Sequence, residues 1–435
     1  MRKKFSTFIL AVCLIFTPIL ATACNGPGGS RSGIYTLTVW APAEEQGILM
    51  DMRDSFFDAN PGYADVVRFE FGVRGMTDIV QDVIVDGARA ANIFMFPSGA
   101  IPELGDNLLP INYAPLVQRV NEVHTQTALR DSSRNVGGTQ TLFALPASPN
   151  NFVLHYNSSL LTADDVRSID SILNATTSAQ FNLAMPLTGA AGAWYNKAFF
   201  LTAGATLFGP NGDDPTASTF NGPEGMLAAQ ALVDLAFHDN FINDTGGIGG
   251  NLFRSGQLAA FFGPPISRND VIDALGQNYA SAPLPTITID GQQVQMVDFS
   301  EHRVFGVNAQ TGFARSDLME RAQVVRIALL FTEHITNTVN QMIRFERTAG
   351  APTAAALLDP MHPQILARPE VVASIIQAEF NTLRMPTTPR LSAFWAPQGA
   401  FGNQIVNRAE ASTPSRPSNT ELQQWLNTLH SSITQ

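Results

Sequence analysis

The chain of 435 residues is poor in charge, in lysine and in cysteine. Charged residues make up 14% of it, and its three lysines are Lys3, Lys4 and Lys197. Nucleic acid is bound by clustered Lys and Arg side chains that neutralise phosphates. Because this chain has a net charge of -11 and no basic run after its N-terminus, the composition argues against nucleic acid as a partner.

Signatures of catalysis and of metal binding are also missing. The sequence has no G-x-S-x-G elbow, no H-E-x-x-H pair and no P-loop, and its seven histidines are scattered singly. Gly246–Gly250 does not match a dinucleotide fingerprint. Gly209–Pro215 offers oxygen atoms to Ca²⁺, but it lacks the spacing of a calcium loop, so we interpret it as a solvated turn. We expect a protein without cofactor, metal or catalytic activity.

The N-terminus has the pattern of an export signal. Basic residues 2–4 precede an apolar run, Phe5–Leu20, which is too short to span a membrane and is interrupted by Pro18. The small residues 21–23 complete a signal peptide over residues 1–23. We therefore expect the protein to lie outside the cytoplasm.

Cys24 resembles the lipid-modified cysteine of bacterial lipoproteins. Because Cys13 leaves with the signal peptide, Cys24 is the one remaining cysteine and has no partner for an internal disulfide. A lipid on this residue would anchor the protein to the outer face of the cell membrane, with residues 24–34 as a flexible Gly/Ser-rich tether. A plain signal peptide followed by an unimportant cysteine is the alternative.

The rest of the chain alternates between strand and helix patterns and is too long for one hydrophobic core, so we expect about two domains. In the first part the predicted elements are strand Tyr35–Trp40, helix Gly47–Asn60, strand Val66–Phe71, helix Met76–Ala91 and strand Ile93–Phe96. A second such region covers Val153–Pro285, followed by predicted helices Asp317–Phe345, Glu370–Leu383 and Glu421–Ile433. The alternation predicts α/β domains with parallel sheets and ligand sites at the carboxyl ends of their strands.

Several aromatic residues are predicted to lie in loops or at the ends of elements. Phe96 precedes a loop, Trp194 and Tyr195 are in a Gly/Ala-rich segment that we interpret as a loop, and Trp395 follows a proline-containing segment. A sugar ring has an apolar face that stacks on an aromatic ring. These residues are therefore candidates for a carbohydrate platform, with core packing as the competing interpretation.

A set of short segments in a fixed order carries a family resemblance. They are Leu37–Trp40, Ala43–Glu45, Asn92–Pro97, Phe143–Pro146, His155–Asn157, Leu160–Leu161, Phe262–Pro264, Leu284–Pro285, Phe305–Asn308 and Met385–Trp395 (MPTTPRLSAFW). Through these segments the chain resembles the extracellular solute-binding proteins of bacterial importers, of the maltose/maltodextrin-binding type.

The resemblance implies a type II periplasmic-binding-protein fold, in which a multi-strand hinge joins two α/β lobes around a ligand cleft. It places the N-terminal lobe at residues 35–148 and 305–342, the C-terminal lobe at 153–299 and 350–435, and hinge crossings at 149–152, 300–304 and 343–349. It also implies a monomer that captures a carbohydrate by lobe closure and presents it to an ABC permease with ATPase subunits.

Carried over position by position, the resemblance implies a set of ligand-binding residues, namely Glu44, Glu45, Phe96, Asn150, Trp194, Tyr195, Met385 and Trp395. Three positions depart from the family pattern. Ser98–Ala100 and Asn150 replace residues that are often acidic in sugar binders, and Pro265 replaces a frequent Trp. The hydrogen-bonding part of the site is therefore altered more than the stacking part.

These departures leave the ligand open. A maltodextrin-like oligosaccharide, another sugar and a glycoside all fit the aromatic residues. A non-sugar solute such as an amine or a peptide is the first alternative within the same fold. A secreted glycan-acting enzyme, which needs a suitably spaced carboxylate pair, and a scaffold or adhesin without ligand binding are the remaining alternatives.

Overall fold

The structure is a computed structural model that describes residues 34–312, 318–348, 350–358 and 362–435. The predicted signal peptide, the predicted lipid site at Cys24 and all of the tether except Ile34 lie outside the described residues. So do Asp317, the first residue of a predicted helix, and Ala349, the last residue of the third predicted hinge crossing. Among the described residues, no helix has the length and apolar character needed to cross a membrane.

Strands and helices alternate along the chain and are numbered here in chain order. The strands are β1 (Tyr35–Ala41), β2 (Val67–Val73), β3 (Ile93–Pro97), β4 (Ser133–Val136), β5 (Thr139–Leu142), β6 (Ala144–Pro149), β7 (Val153–Asn157), β8 (Phe181–Met185), β9 (Phe241–Asn243), β10 (Leu258–Gly263), β11 (Tyr279–Ala282), β12 (Thr286–Ile289), β13 (Gln292–Gln295), β14 (Asp298–Ser300), β15 (His302–Val307) and β16 (Thr382–Arg384). The helices are α1 (Gln46–Ala59), α2 (Met76–Asp86), α3 (Ile101–Leu104), α4 (Ala114–Val123), α5 (Gln126–Asp131), α6 (Ile169–Asn174), α7 (Gly189–Thr202), α8 (Pro223–Ala236), α9 (Ile248–Arg254), α10 (Arg268–Leu275), α11 (Leu318–Thr336), α12 (Thr338–Thr348), α13 (Pro363–Leu366), α14 (Pro369–Phe380), α15 (Trp395–Ala409) and α16 (Asn419–Thr434).

The first lobe is built on a five-stranded sheet with the order β2-β1-β3-β15-β6. β1 pairs in parallel with β2 and β3, whereas β15 runs antiparallel to both β3 and β6. The amino end of β15 therefore lies at the same edge of the sheet as the carboxyl ends of β3 and β6. This is the edge at which α/β sheets place their ligands.

The second lobe repeats this arrangement on a sheet with the order β11-β7-β10-β8-β9. β10, β8 and β9 are parallel, and β7 runs antiparallel to β10. The amino end of β7 consequently lies at the carboxyl edge of β10 and β8. Both lobes thus have an antiparallel strand that brings a chain segment to the ligand edge.

Each lobe has its own hydrophobic core. In α1, Ile48, Met52 and Phe56 recur at helical spacing and pack with Phe331 of α11 in the first-lobe core. The second-lobe core includes α7, where Phe199 and Phe200 are fully buried. The predicted two-lobe α/β fold is confirmed.

The chain leaves the first sheet at residues 150–152, between β6 and β7, and returns to it after Glu301, where β15 begins. β14 is paired with β16 in a small parallel sheet of its own, with Asp298 opposite Thr382. The residue boundaries assigned above to lobes and hinge crossings stay a prediction.

Two predicted elements in the middle of the chain are corrected by the structure. Trp194 and Tyr195 lie within α7, because the Gly/Ala-rich segment that we took for a loop packs closely enough to form a buried helix. The predicted helix Asp317–Phe345 is divided into α11 and α12 at Asn337. The Asn337 side chain accepts a hydrogen bond from the Asn340 backbone N–H and so starts a new helix.

The predicted helix Glu370–Leu383 is also corrected by the structure. The helix ends at Phe380, and Thr382–Arg384 form the strand β16 instead. The pairing of this strand with β14 is a tertiary contact that a local sequence pattern does not contain.

Candidate functional site

The two lobes meet at the carboxyl edges of their sheets. Ser98–Leu104, which follow β3, contact the turn Pro389–Phe394, which precedes α15. We call this contact, together with the strand ends beside it, the interlobe seam. Two cavities of about 30 Å³ each lie along it, one bordered by Gly99 and the other by Asn150. Each has room for about two water molecules, so neither admits a sugar ring in this arrangement of the lobes.

Three aromatic rings of the second lobe cluster close to the seam turn Pro389–Phe394. Trp194 near the start of α7, Trp395 at the start of α15 and Phe152 before β7 surround the ammonium group of Lys197. Their ring centroids lie 5.2, 6.0 and 5.5 Å from its nitrogen. We call these three rings the aromatic face. Trp194 and Trp395 are half-buried, whereas Phe152 is 1% exposed.

Lys197, the one lysine among the described residues, is bound inside this face. Its ammonium lies 2.7 Å from the Asp298 carboxylate and donates a hydrogen bond to the Trp194 carbonyl at 2.5 Å. Side-chain exposure is 1% for the lysine and 2% for the aspartate. Burial raises the pKa of Asp298, and the ammonium opposes that shift. Because a buried charge is tolerated mainly when it is paired, the two residues form one structural unit.

The other side of the seam is a chain of polar side chains, which we call the polar face: Glu44, Arg303, Asn150 and Glu301. Arg303 donates to Glu44 at 3.2 Å and to the Asn150 side-chain oxygen at 3.5 Å. The Asn150 side-chain NH₂ donates to Glu301 Oε2 at 2.5 Å. These contacts join the first lobe to the segments that connect the two sheets.

Glu301 has a strongly perturbed carboxyl group. It is 9% exposed, and burial raises its pKa to about 7, although the hydrogen bond from Asn150 and the charge of Lys197 act in the opposite direction. A carboxyl group in this range changes its protonation near neutral pH.

Behind the polar face, a second hydrogen-bonded group holds the start of β15. Asp131 of α5 accepts hydrogen bonds from the Ser300 hydroxyl and from His302 Nδ1, the latter at 3.0 Å. Burial disfavours the charge of Asp131, but these bonds together with nearby positive charge, including that of Arg130, outweigh it and lower its pKa. The His302 backbone N–H donates to the Ser98 hydroxyl at 3.0 Å, which ties β15 to the segment after β3.

The structure separates the two adjacent glutamates of the predicted site. Glu44 belongs to the polar face. Glu45 borders a seam cavity, but it is 2% exposed, and its carboxylate accepts hydrogen bonds from the equally buried Arg344 at 3.0 and 3.2 Å. Its charge is thus paired inside the first lobe, and contact of Glu45 with a ligand stays a prediction.

Phe96 and Tyr195 are both buried, and their contact with a ligand stays a prediction. Phe96 is fully buried in β3, with its ring 5.3 Å from that of Phe94, and belongs to the core rather than to the seam. Tyr195 is buried, and its ring packs against Phe152 at 4.6 Å, behind the aromatic face. The predicted residues that the structure brings to the seam are Glu44, Asn150, Trp194, Met385 and Trp395. Their contact with a ligand stays a prediction.

Four seam residues were not predicted: Lys197, Asp298, Glu301 and Arg303. A weak signal existed for the last three, because charged residues cluster in the segment 298–303 just before a strand. Lys197 stood out as an isolated lysine, but its position among aromatic rings follows from the packing of α7. Among the described residues, no group of histidine, cysteine and carboxylate side chains is arranged to hold a metal ion.

No family model and no curated protein matches the chain. Solved structures do match it. The maltodextrin-binding protein MalE1 from L. casei BL23, without ligand, has a TM-score of 0.76 at 23% identity, over 92% of this chain and 99% of that one. The Thermus thermophilus maltotriose-binding protein bound with maltotriose has a TM-score of 0.69 at 19% identity, over 92% and 99%.

A cyclo/maltodextrin-binding protein complexed with maltotetraose has a TM-score of 0.71 at 20% identity, over 94% of this chain and 98% of that one. At such identities the likeness establishes the fold, and it covers nearly the whole of each chain. The expected similarity to maltodextrin-binding proteins is confirmed at this level.

Proposed function

We propose that this protein captures a carbohydrate between its lobes as the substrate-binding lipoprotein of an ABC importer, and that it performs no chemistry. The observation that carries this proposal is an aromatic face and a polar face that lie close enough for the charge of Lys197 to act on Glu301. Rings offer stacking surface to the apolar side of a sugar, and carboxylate and amide groups exchange hydrogen bonds with its hydroxyls.

The fold supports the same function. The three similar structures are proteins named for maltodextrin or maltotriose binding, and two of them hold such a sugar. Seam cavities of about 30 Å³ fit a receptor that opens to admit its ligand and closes over it. The permease and its ATPase are the partners that this role requires, and a lipid on Cys24 would keep the receptor beside them.

The ligand class is tested by calorimetric titration of the purified protein with maltotriose, maltotetraose, amino acids and spermidine. We expect heat of binding with at least one oligosaccharide. Trp395→Ala should weaken that binding by about tenfold or more, since it removes a stacking ring. Trp425→Ala is the matched control, because Trp425 is half-buried against the second-lobe core in α16. Equal losses in both variants would contradict the assignment of the aromatic face.

A cationic amine is the second candidate, because one observation favours it. The aromatic face already surrounds an ammonium group, that of Lys197, so its geometry suits a cation. An external amine would have to displace this lysine from Asp298. Binding of spermidine without binding of either maltooligosaccharide would favour this candidate over capture of a maltodextrin.

The anchor is tested separately. Mass spectrometry of the protein from a bacterial host should find acyl chains on Cys24, and Cys24→Ser should release the protein from the membrane fraction. A protein that is cleaved before Cys24 but carries no lipid would overturn the lipoprotein assignment and leave the binding role untouched.

A further inference from the structure

Glu301 occupies a particular position in the fold. It immediately precedes β15, whose amino end lies between the carboxyl ends of β3 and β6. This is the edge of the first sheet that faces the second lobe. A side chain at this point is therefore presented to whatever the two lobes enclose.

The two carboxylate oxygens of Glu301 point to different parts of the seam. Oε2 accepts the hydrogen bond from Asn150, which follows β6. Oε1 lies 2.7 Å from the position that a Cβ atom would have on Gly99, which follows β3. Glycine at this position leaves space for the carboxylate. From the second lobe, the Met385 methyl group comes within 3.2 Å of the same position.

Oε1 of Glu301 has no hydrogen-bond partner among the described residues. An ionised carboxylate can accept about four hydrogen bonds. Burial of the carboxyl group and the nearby charges of Asp298 and Asp131 raise the pKa of Glu301. Glu301 therefore has one oxygen held by Asn150 and one oxygen to which no described residue donates, at the ligand edge of the sheet.

We propose that Glu301 is the carboxylate that binds hydroxyl groups of the ligand and thereby selects polyhydroxylated molecules. This inference rests on the proposed carbohydrate-binding function. When the lobes separate, Met385 withdraws with the second lobe and leaves Oε1 facing the open cleft. A ligand hydroxyl then donates to Oε1, while Asn150 keeps Oε2 in place.

The test is calorimetric titration with maltotetraose at three pH values below, at and above the pKa of Glu301. Ionised Glu301 is the better acceptor, so wild-type affinity should rise with pH through about 7. Glu301→Gln should bind about 10- to 100-fold more weakly at the highest pH and should lose the pH dependence. The matched control is Glu122→Gln, which removes the same charge from an exposed position on α4 and should match wild type.

A second variant distinguishes a loss of ligand binding from a folding defect. Glu301→Asp keeps the acid but shortens its reach, so binding should weaken while the pH dependence remains. Wild-type binding of maltotetraose together with unchanged affinity in both Glu301 variants would overturn this inference and leave the proposed function intact. Absence of saccharide binding by wild type would overturn the proposed function itself, and the inference with it.

Discussion

The two faces of the interlobe seam are built in different ways. The two tryptophans of the aromatic face belong to α7 and α15, which pack against each other. The packing of α15 on the chain before α7 is close, because a Cβ atom added to Gly402 would overlap the Leu187 carbonyl oxygen. The polar face is held by hydrogen bonds between side chains, from Glu44 to Glu301. A stacking surface fixed by backbone packing is preformed, whereas side-chain hydrogen bonds can be exchanged for bonds to a ligand. We therefore expect damage to the packing beneath the aromatic face to lower stability most, and damage to the hydrogen bonds of the polar face to lower affinity most.

The largest expected effect on stability comes from the ion pair inside the aromatic face. Lys197→Met leaves Asp298 buried without its partner and should lower the free energy of unfolding by about 3 to 5 kcal/mol. Urea denaturation measures this loss. The control is Arg416→Met, because Arg416 pairs with Asp234 at side-chain exposures of 54% and 71%, and exposed pairs contribute at most about 1 kcal/mol. Similar losses in both variants would show that the buried pair does not stabilise the fold.

The polar face should make stability depend on pH through Glu301. Burial raises its pKa to about 7, so the folded state binds this proton more tightly than the unfolded chain does. The resulting stability is present in full below about pH 4.5 and is lost as pH rises through 7, with a total of about 3 kcal/mol. The charged groups near Glu301 are Lys197, Asp298, Asp131, Arg303 and Glu44.

This dependence is measured as the difference between wild type and Glu301→Gln in urea denaturation at pH values on both sides of 7. Buried His124 and His155 change stability with pH in the opposite direction, because burial lowers their pKa values to about 3 and about 4. Both proteins contain these histidines, so subtracting one stability from the other cancels their contribution. Those histidines destabilise the fold as pH falls below about 6.5. A constant difference between the two proteins would mean that Glu301 does not change its protonation in this range.

The next largest loss of stability is expected from a packing defect in α15, on the aromatic side. Gly402→Ala forces α15 away from the Leu187 backbone, and overpacking of this kind costs about 1 to 3 kcal/mol. Because Trp395 starts α15, tryptophan fluorescence should change as well. Gly250→Ala is the control, since a Cβ atom on this glycine of α9 would meet nothing within 4 Å and alanine favours the helix. Equal stability of the two variants would disprove the close packing.

Sequence patterns predicted the alternating elements well, because apolar residues recur at the period of each strand and helix. The site was harder to predict, as Glu44 and Glu45 illustrate. They are neighbours in sequence, yet the first pairs with Arg303 and the second with Arg344, which are 259 and 299 positions away. Such pairing depends on how the chain returns from the second lobe, which local patterns do not contain.

Glu301 and Phe96 also show that tertiary pairing decides which residues near a strand end reach the ligand edge. The family pattern has acidic residues at the strand ends where this chain has Gly99 and Asn150. In the structure a carboxylate does lie beside both positions, but it belongs to Glu301, just before the antiparallel strand β15. Phe96 is the next-to-last residue of β3, and its position near the ligand edge suggested a binding role. In the structure its ring is instead fully buried, where it lies against Gly306 of the neighbouring strand β15.

The smallest expected effect on stability, and a specific one on affinity, comes from Gly99→Ala in the polar part of the seam. The new methyl group would meet Glu301 Oε1 at 2.7 Å and the Met385 methyl at 3.2 Å, and both are ends of flexible side chains that can move aside. Unfolding free energy should therefore fall by less than about 1 kcal/mol. Maltotetraose binding should weaken more than this loss implies, because the carboxylate is displaced from its place beside Asn150. A variant that loses stability and keeps its affinity would reverse the proposed division of roles between the two faces.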